Sequence, residues 1–301
     1  MGAVLWFDRL SGDDLERVRG LLRAAHDRDG RPEVVAQTGP LPREFRTGMH
    51  GLLSGPDGAL AGYVHVDTEG DARGRPVAEL IVHPDRRGQG LGSVLAESLV
   101  SQVTRRPLRV WAHGDHPAAA RIAHRLGFAR VRELLKMRLD LAAGEPPLPA
   151  PSWPPGVRLR TFVPGQDEPA VVAVNRRAFD WHPEQGALTV ADVAAAEDEP
   201  WFDPEGFFLA VDGEDRLLGF HWTKVHSGTP PEGEVYVVGV DPDAQGGGLG
   251  RALTLAGLHH LHRAGLATVV LYVESDNAPA VTVYRRLGFG LLLTDVQYEH
   301  G

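Results

Sequence analysis

The 301-residue sequence contains no cysteine, which excludes disulfide bonds, thiolate metal sites and a cysteine nucleophile. It has no apolar run long enough to span a membrane, and its charged start is unlike a signal peptide, so we expect a cytoplasmic protein with no membrane partner. The formal charge of −9 argues against a nucleic-acid partner and permits a cationic substrate. The fourteen histidines show no metal-ligand spacing, so no metal is expected, and we expect a monomer.

What the sequence does contain is a pair of similar glycine-rich loops, at residues 82–92 and 240–250. Each loop follows an apolar run that predicts a strand, and each precedes a stretch that predicts a helix, at residues 93–103 and 251–264. Backbone N–H groups at such a turn, next to a helix N-terminus, can hold a diphosphate. Glycines are required because a Cβ atom would keep the phosphates away from the backbone.

The chain is also organised as a duplication around a boundary rich in proline, residues 144–156, which predicts an extended linker. On either side the same order recurs: a helix, a hairpin, a strand with its glycine loop, a second strand and a small helix. We therefore expect an N-terminal domain at residues 1–143 and a C-terminal domain at residues 157–301. Each is predicted to have an α/β fold of the mixed α+β type.

Both loops match one acetyl-CoA loop pattern, as Arg87-x-x-Gly90-x-Gly92 and Gln245-x-x-Gly248-x-Gly250. With a Leu-Gly-Phe segment after each, the halves resemble the GCN5-related N-acetyltransferase family. The resemblance implies two tandem domains, each a central mixed β-sheet flanked by helices, with acetyl-CoA as cosubstrate. The cofactor residues that it implies are Leu80, Ile81, Val82, Arg87, Gly88, Gln89, Gly90, Leu91, Gly92 and Ser93 in the first half, and Val238, Gly239, Val240, Gln245, Gly246, Gly247, Gly248, Leu249, Gly250, Arg251, Asn277, Ala280 and Thr282 in the second.

Acetyl transfer to an amine needs a base for the amine, donors for the oxyanion and an acid for the leaving thiolate. The resemblance implies that Glu234 is the base, Tyr284 the acid, and an N–H near Val240 the oxyanion donor. In the first half the same sequence register holds Pro76 and Ala123, neither of which can carry a proton. We therefore expect the N-terminal half to be catalytically silent, although its loop, with adjacent arginines, is more cationic than the second.

The C-terminal half further resembles tandem acetyltransferases that act on the cysteinyl α-amine of a cysteine–glucosamine–inositol conjugate. An α-amine has a pKa near 8, so orienting it matters more than forcing its deprotonation. The alternatives are a tandem acetyltransferase for another amine, such as an antibiotic or a protein N-terminus, and an acetyl-CoA-binding regulator without turnover. The substrate-binding residues that the resemblance implies are Glu33, Glu184, Lys224, Glu234 and Tyr272.

Overall fold

The computed structural model describes residues 2–29, 47–71, 73–104, 107–141, 148–182 and 185–301. In this part of the chain, no helix has the length and apolar character needed to cross a membrane. The helices and strands, in chain order, are β1 Leu5–Phe7, α1 Gly12–Asp29, β2 Met49–Ser54, β3 Leu60–Asp67, β4 Val77–Val82, α2 Leu91–Gln102, β5 Leu108–Ala112, α3 Pro117–Arg125, β6 Ala129–Asp140, β7 Arg158–Thr161, α4 Glu168–Ala178, α5 Val190–Glu197, β8 Phe207–Val211, β9 Leu217–His226, β10 Glu232–Val240, α6 Leu249–Arg263, β11 Thr268–Glu274, α7 Ala278–Arg286 and β12 Gly290–His300.

These elements form two compact units, both mixed α/β as the sequence predicts. Unit 1 comprises the described residues up to Glu133 together with Leu293–Gly301, and unit 2 comprises Leu134–Leu292. The division differs from the sequence boundary at residues 144–156, and the expected domain limits stay a prediction about the two repeats.

Within unit 1 the strands lie in the order β1-β2-β3-β4-β5-β12. Neighbouring strands are antiparallel, apart from the parallel pair β4 and β5. Parallel strands need a crossover connection, which α2 provides here. One face of this sheet packs against α2 through a cluster that includes Leu95 and Leu99, and the opposite face packs against α1 through Leu22 and Tyr63.

Within unit 2 the order is β6-β11-β10-β9-β8-β7, and the only parallel pair among the described strands is β10 and β11. The crossover between them is α6, whose Leu255 and Leu258 pack in a cluster with Val235 of β10. The other face carries an aromatic cluster with Phe220 and Trp222 of β9, which packs against α4 and α5. The two units therefore repeat one topology.

The last strand of each sheet does not come from the repeat that supplies the others. Residues 134–140 of β6, from the first half of the sequence, pair with β11 in unit 2. Residues 296–300 of β12, at the end of the sequence, pair with β5 in unit 1. This strand exchange explains why the compact units do not follow the sequence halves, and the repeat pattern alone does not reveal it.

The described part of the proline-rich boundary is packed onto unit 2. Trp153 and Val157 contact a cluster that contains Leu249 and Leu253 at the start of α6. Further along the helix, an imidazole nitrogen of His259 lies 3.1 Å from the carbonyl oxygen of Pro149. The segment therefore lines the helix that follows the second glycine loop.

Candidate active site

Both glycine loops end at a helix whose first turn is open. Gly90 and Gly248, the residues that precede α2 and α6, have φ angles of 82° and 83°, in the left-handed region that favours glycine. In the described part of the chain, no side chain forms a capping hydrogen bond at the N-terminus of either helix. The N–H groups at the start of each helix, with the positive end of the helix dipole, are thus suited to an anionic diphosphate.

The first residue of each acetyl-CoA loop pattern forms a hydrogen bond with the end of the preceding strand. The Gln245 amide donates a hydrogen bond to the carbonyl oxygen of Val240 at 3.1 Å, and the Arg87 Nε donates to that of Val82 at 3.3 Å. These side chains hold the loop against the end of the preceding strand, so they shape the cradle independently of any bound phosphate.

The two arginines of the first loop, which the sequence predicts to make it more cationic than the second, are each paired with a carboxylate. The Arg87 guanidinium donates to both carboxylate oxygens of Asp29, at 2.9 and 2.5 Å, and this contact lowers the pKa of Asp29. The Arg86 guanidinium pairs with one carboxylate oxygen of Asp57. Each positive charge is therefore met by a carboxylate of unit 1.

A gap opens between β10 and β11 in unit 2. Their parallel pairing ends at Val235 and Leu271, although both strands continue. At the same point Tyr236 is an extra residue in β10, because Val235 pairs with Thr223 of β9 while Val237 pairs with the adjacent Trp222. Such a β-bulge bends the strand and ends its pairing with a neighbour. The backbone of residues 238–240, expected to hold the cofactor, borders this gap.

The expected base and acid lie on opposite faces of the sheet beside this gap. Val235 and Val238 pack in the cluster of α6 and α7, which Tyr284 also contacts. Side chains alternate along a strand, so Glu234 points to the other face, where Val237 packs with the aromatic cluster. Desolvation raises the pKa of Tyr284 to about 12, which keeps its phenol protonated at neutral pH.

The face that carries Glu234 also holds Lys224, directly opposite it on β9. The Lys224 ammonium lies 4.4 Å from the ring centre of Trp201 and 5.0 Å from that of Tyr236. Such cation–π contacts fix the position of the charge. Sequence reasoning predicted Trp201 as a core residue or a pocket wall and assigned no role to Tyr236.

Tyr272 lies one residue beyond the last β10–β11 pair, so its side chain is next to the gap. The Lys136 ammonium from β6 lies 5.3 Å from the centre of the Tyr272 ring. Lys136 is buried, and it comes from the first half of the sequence. No local motif marks it, because its contact with Tyr272 depends on the strand exchange.

Two of the expected cofactor residues, Asn277 and Thr282, form local hydrogen bonds at α7. The Asn277 side chain accepts a hydrogen bond from the Ala280 N–H at 3.2 Å and thereby caps α7, and the Thr282 hydroxyl donates to the carbonyl of Ala278 at 2.8 Å. Two expected substrate contacts, Glu33 and Glu184, lie outside the described residues.

Unit 1 contains a cavity of about 1280 Å³ beside its glycine loop. Glu79 and His113 are among its lining residues. His113 Nε2 lies 3.7 Å from a Glu79 carboxylate oxygen, and His113 Nδ1 lies 3.3 Å from a carboxylate oxygen of Asp295. Although desolvation lowers it, these carboxylates raise the pKa of His113 to about 9. Sequence reasoning missed these titratable groups, because they are distant in sequence and converge only in the fold. The expectation that the first half is catalytically silent stays a prediction.

The register comparison with the first half also needs a correction. Val77, not Pro76, occupies the place of Glu234, because the bulge at Tyr236 adds one residue to β10 that β4 lacks. Val77 cannot carry a proton either.

Comparison with known proteins agrees with this architecture. The model of the acetyltransferase (GNAT) family matches residues 21–128 and again residues 175–289. The chain belongs to this family, whose members use acetyl-CoA as cosubstrate. The predictions of an acetyltransferase and of two tandem domains of this fold are confirmed.

Individual proteins that are similar to this chain indicate a more specific kind of acetyltransferase. The chain is 58% identical to the mycothiol acetyltransferase of Saccharomonospora viridis, over 99% of this chain and 98% of the relative. It is 55% identical to the mycothiol acetyltransferase of Actinosynnema mirum, over 99% of each chain. Among solved structures, a GCN5-related N-acetyltransferase from Sphaerobacter thermophilus is similar, with a TM-score of 0.73 and 26% identity over 98% of this chain and 95% of that one.

Proposed function

We propose that the chain transfers the acetyl group of acetyl-CoA to the cysteinyl α-amine of a cysteine–glucosamine–inositol conjugate, the final step of mycothiol biosynthesis. The names of relatives that are 58% and 55% identical over nearly the whole chain support this substrate. The observation that carries the chemistry is the position of Glu234 and Tyr284 on opposite faces of unit 2, beside the gap between β10 and β11.

In the proposed reaction, Glu234 accepts the proton of the ammonium group, and the amine nitrogen attacks the thioester carbon. Backbone N–H groups of residues 238–240 stabilise the oxyanion, since they border a gap where β11 no longer pairs with β10. The carbon–sulfur bond then breaks, and the Tyr284 hydroxyl protonates the CoA thiolate. The second proton, which the nitrogen loses as it becomes an amide, returns the Tyr284 phenolate to the phenol. Lys224 and Tyr272, on the Glu234 side, hold the polar remainder of the substrate, together with Glu33 and Glu184.

The two glycine loops are proposed to hold acetyl-CoA, each through the cofactor residues assigned to it above. The uncapped starts of α2 and α6 support both sites, and the cavity of unit 1 supports the first. Only the second loop is proposed to serve turnover, since Val77 and Ala123 replace the base and the acid in unit 1. The protein is proposed to be cytoplasmic and monomeric. Light scattering of the purified chain would measure its molar mass and so test the monomer.

The test incubates the purified chain with acetyl-CoA and the cysteinyl conjugate, and follows CoA and the acetylated conjugate by chromatography with mass detection. Equal amounts of both products are expected. CoA release with an aminoglycoside or an N-terminal peptide, but not with the conjugate, would favour the second kind of acetyltransferase. Binding of acetyl-CoA without turnover of any amine would favour a regulator.

A further inference from the structure

The carboxylate of Glu234 has a specific partner that the reaction above does not use. Nε2 of His226, the last residue of β9, lies 2.6 Å from Oε2 of Glu234. The side chain of Glu234 is 10% exposed, whereas that of His226 is 38% exposed. The pair therefore connects a buried carboxylate with solvent.

The register of the two strands produces this contact. Glu234 lies opposite Lys224, and His226 lies opposite Glu232, so Glu234 and His226 are diagonal neighbours on one face of the β9–β10 pair. The Lys224 ammonium is held by the rings of Trp201 and Tyr236, and in the described part of the chain it forms no ion pair with Glu234. One oxygen of Glu234 thus faces an imidazole, while Oε1 is left for an incoming ammonium group.

Every turnover of the proposed reaction leaves a proton on Glu234, and this proton has to leave before the next one. Exchange with bulk water is hindered at a buried carboxylate. An imidazole exchanges protons with water near neutral pH, and it can gain a proton at one nitrogen and lose one at the other. His226 presents Nε2 to the carboxylate and has enough exposure for Nδ1 to reach water.

We infer that His226 is the positioning and proton-exit residue for Glu234, an inference that rests on the proposed function. In the resting pair, the imidazolium donates from Nε2 to the Glu234 carboxylate. When Glu234 accepts the proton of the substrate ammonium at Oε1, the imidazolium loses its stabilising negative charge and releases the Nδ1 proton to water. The pair then holds its original number of protons. A turn of the half-exposed His226 ring brings the vacant Nδ1 to the Glu234 carboxyl group, which returns its proton to the ring and restores the carboxylate and the imidazolium.

A histidine that only held the strand ends together would behave differently on substitution. His226→Gln keeps an N–H donor that can reach Glu234 but does not titrate, whereas His226→Ala removes both properties. The matched control is His262→Gln, on the exposed side of α6 and away from the proposed site. The other charged groups at this end of the strands, Glu232 and Lys224, are left unchanged.

The experiment measures kcat and the KM of both substrates between pH 6 and 9, in dilute buffer and with added imidazole. We expect both His226 variants to lose roughly tenfold to a hundredfold in kcat, within the range of general acid–base effects, with KM changed less than twofold. Added imidazole should restore kcat of His226→Ala in proportion to its free-base concentration. Thermal unfolding of His226→Gln should match that of the wild type.

The inference is overturned if His226→Gln keeps wild-type kcat and the wild-type pH profile, or if imidazole gives no recovery of the alanine variant. The wild type and His262→Gln test the proposed function separately, because both must acetylate the conjugate. Inactivity of these two proteins would count against the substrate or the assigned site, whereas loss in the His226 variants alone bears on the proton exit.

Discussion

Glu234 in unit 2 and Val77 in unit 1 occupy the same place in their sheets. Glu234 lies opposite Lys224 on the antiparallel neighbour and Val270 on the parallel one, and Val77 lies opposite Asp67 and Arg109 in the same way. The two folds therefore present a carboxylate and an isopropyl group at one structural position. This pair provides a test of whether the chemistry belongs to one unit.

Substitution of Glu234 by Gln should lower kcat by about 10²- to 10⁴-fold, since the amide cannot accept the ammonium proton but has nearly the same shape. Val77→Thr is the matched control and should change kcat by less than twofold. Steady-state rates with acetyl-CoA and the cysteinyl conjugate measure both. Equal losses in the two variants would contradict the assignment of turnover to unit 2.

Substitution of Tyr284 by Phe should lower kcat by roughly a hundredfold, because the ring is kept but the donor to the thiolate is removed. The Tyr284 ring packs edge-to-face against the Phe289 ring, with 5.8 Å between the ring centres. The substitution keeps this contact, so the temperature of thermal unfolding should change little. Tyr298→Phe in unit 1 is the control. A Tyr284→Phe enzyme with unchanged kcat would rule out the phenol as the acid.

Substitution of Gly90 or Gly248 by Val should remove one acetyl-CoA site each, since a β-branched residue rarely adopts their positive φ angles. Titration calorimetry should give two acetyl-CoA molecules per chain for the wild type and one for either variant. Only Gly248→Val should lose turnover. A wild-type stoichiometry of one would mean that the cavity of unit 1 does not take the cosubstrate.

The stability of unit 1 should fall as the pH rises through the pKa of His113, which the fold raises from an ordinary 6.5 to about 9. A raised pKa means that the folded state binds the proton more tightly, so this stabilisation is complete below about pH 6.5 and lost above about pH 9. Although desolvation raises it, the pKa of Glu79 is lowered overall by the neighbouring His113, and the titration of Glu79 lies below this window. Denaturant unfolding of the wild type and His113→Gln across this range measures the effect, which the variant should lack.

Gly257→Ala should destabilise unit 2 by roughly 1–3 kcal/mol, as overpacking of a core does. An added Cβ would lie 2.1 Å from Cε1 of His221, whose ring is fully buried and whose Nδ1 lies 2.8 Å from the carbonyl oxygen of Leu253. Gly20→Ala, at an exposed place in α1 with open space around it, should instead stabilise by about 0.5–1 kcal/mol. Thermal unfolding compares the two, and effects of the same sign would contradict this account.

Much of the fold could be predicted because its signals are local. The helices predicted at residues 93–103 and 251–264 correspond to α2 and α6, and the glycine spacing predicts the turn that precedes each of them. The extra residue at Tyr236 could not be predicted, because a bulge depends on the pairing of two strands. Glu79, His113 and Asp295 were missed for a related reason: they lie far apart in sequence and meet only in the folded sheet.

The strand exchange has a consequence for how the protein is made. During synthesis, residues 1–133 emerge first, but the strand that flanks β5 in their sheet is β12, which follows every other element in the sequence. Until then, β5 lacks that neighbour and leaves backbone donors and acceptors open to unintended partners. The sheet of unit 1 is thus completed only after nearly the whole polypeptide has been synthesised. A truncated chain that ends within the second repeat would therefore expose an aggregation-prone edge at β5.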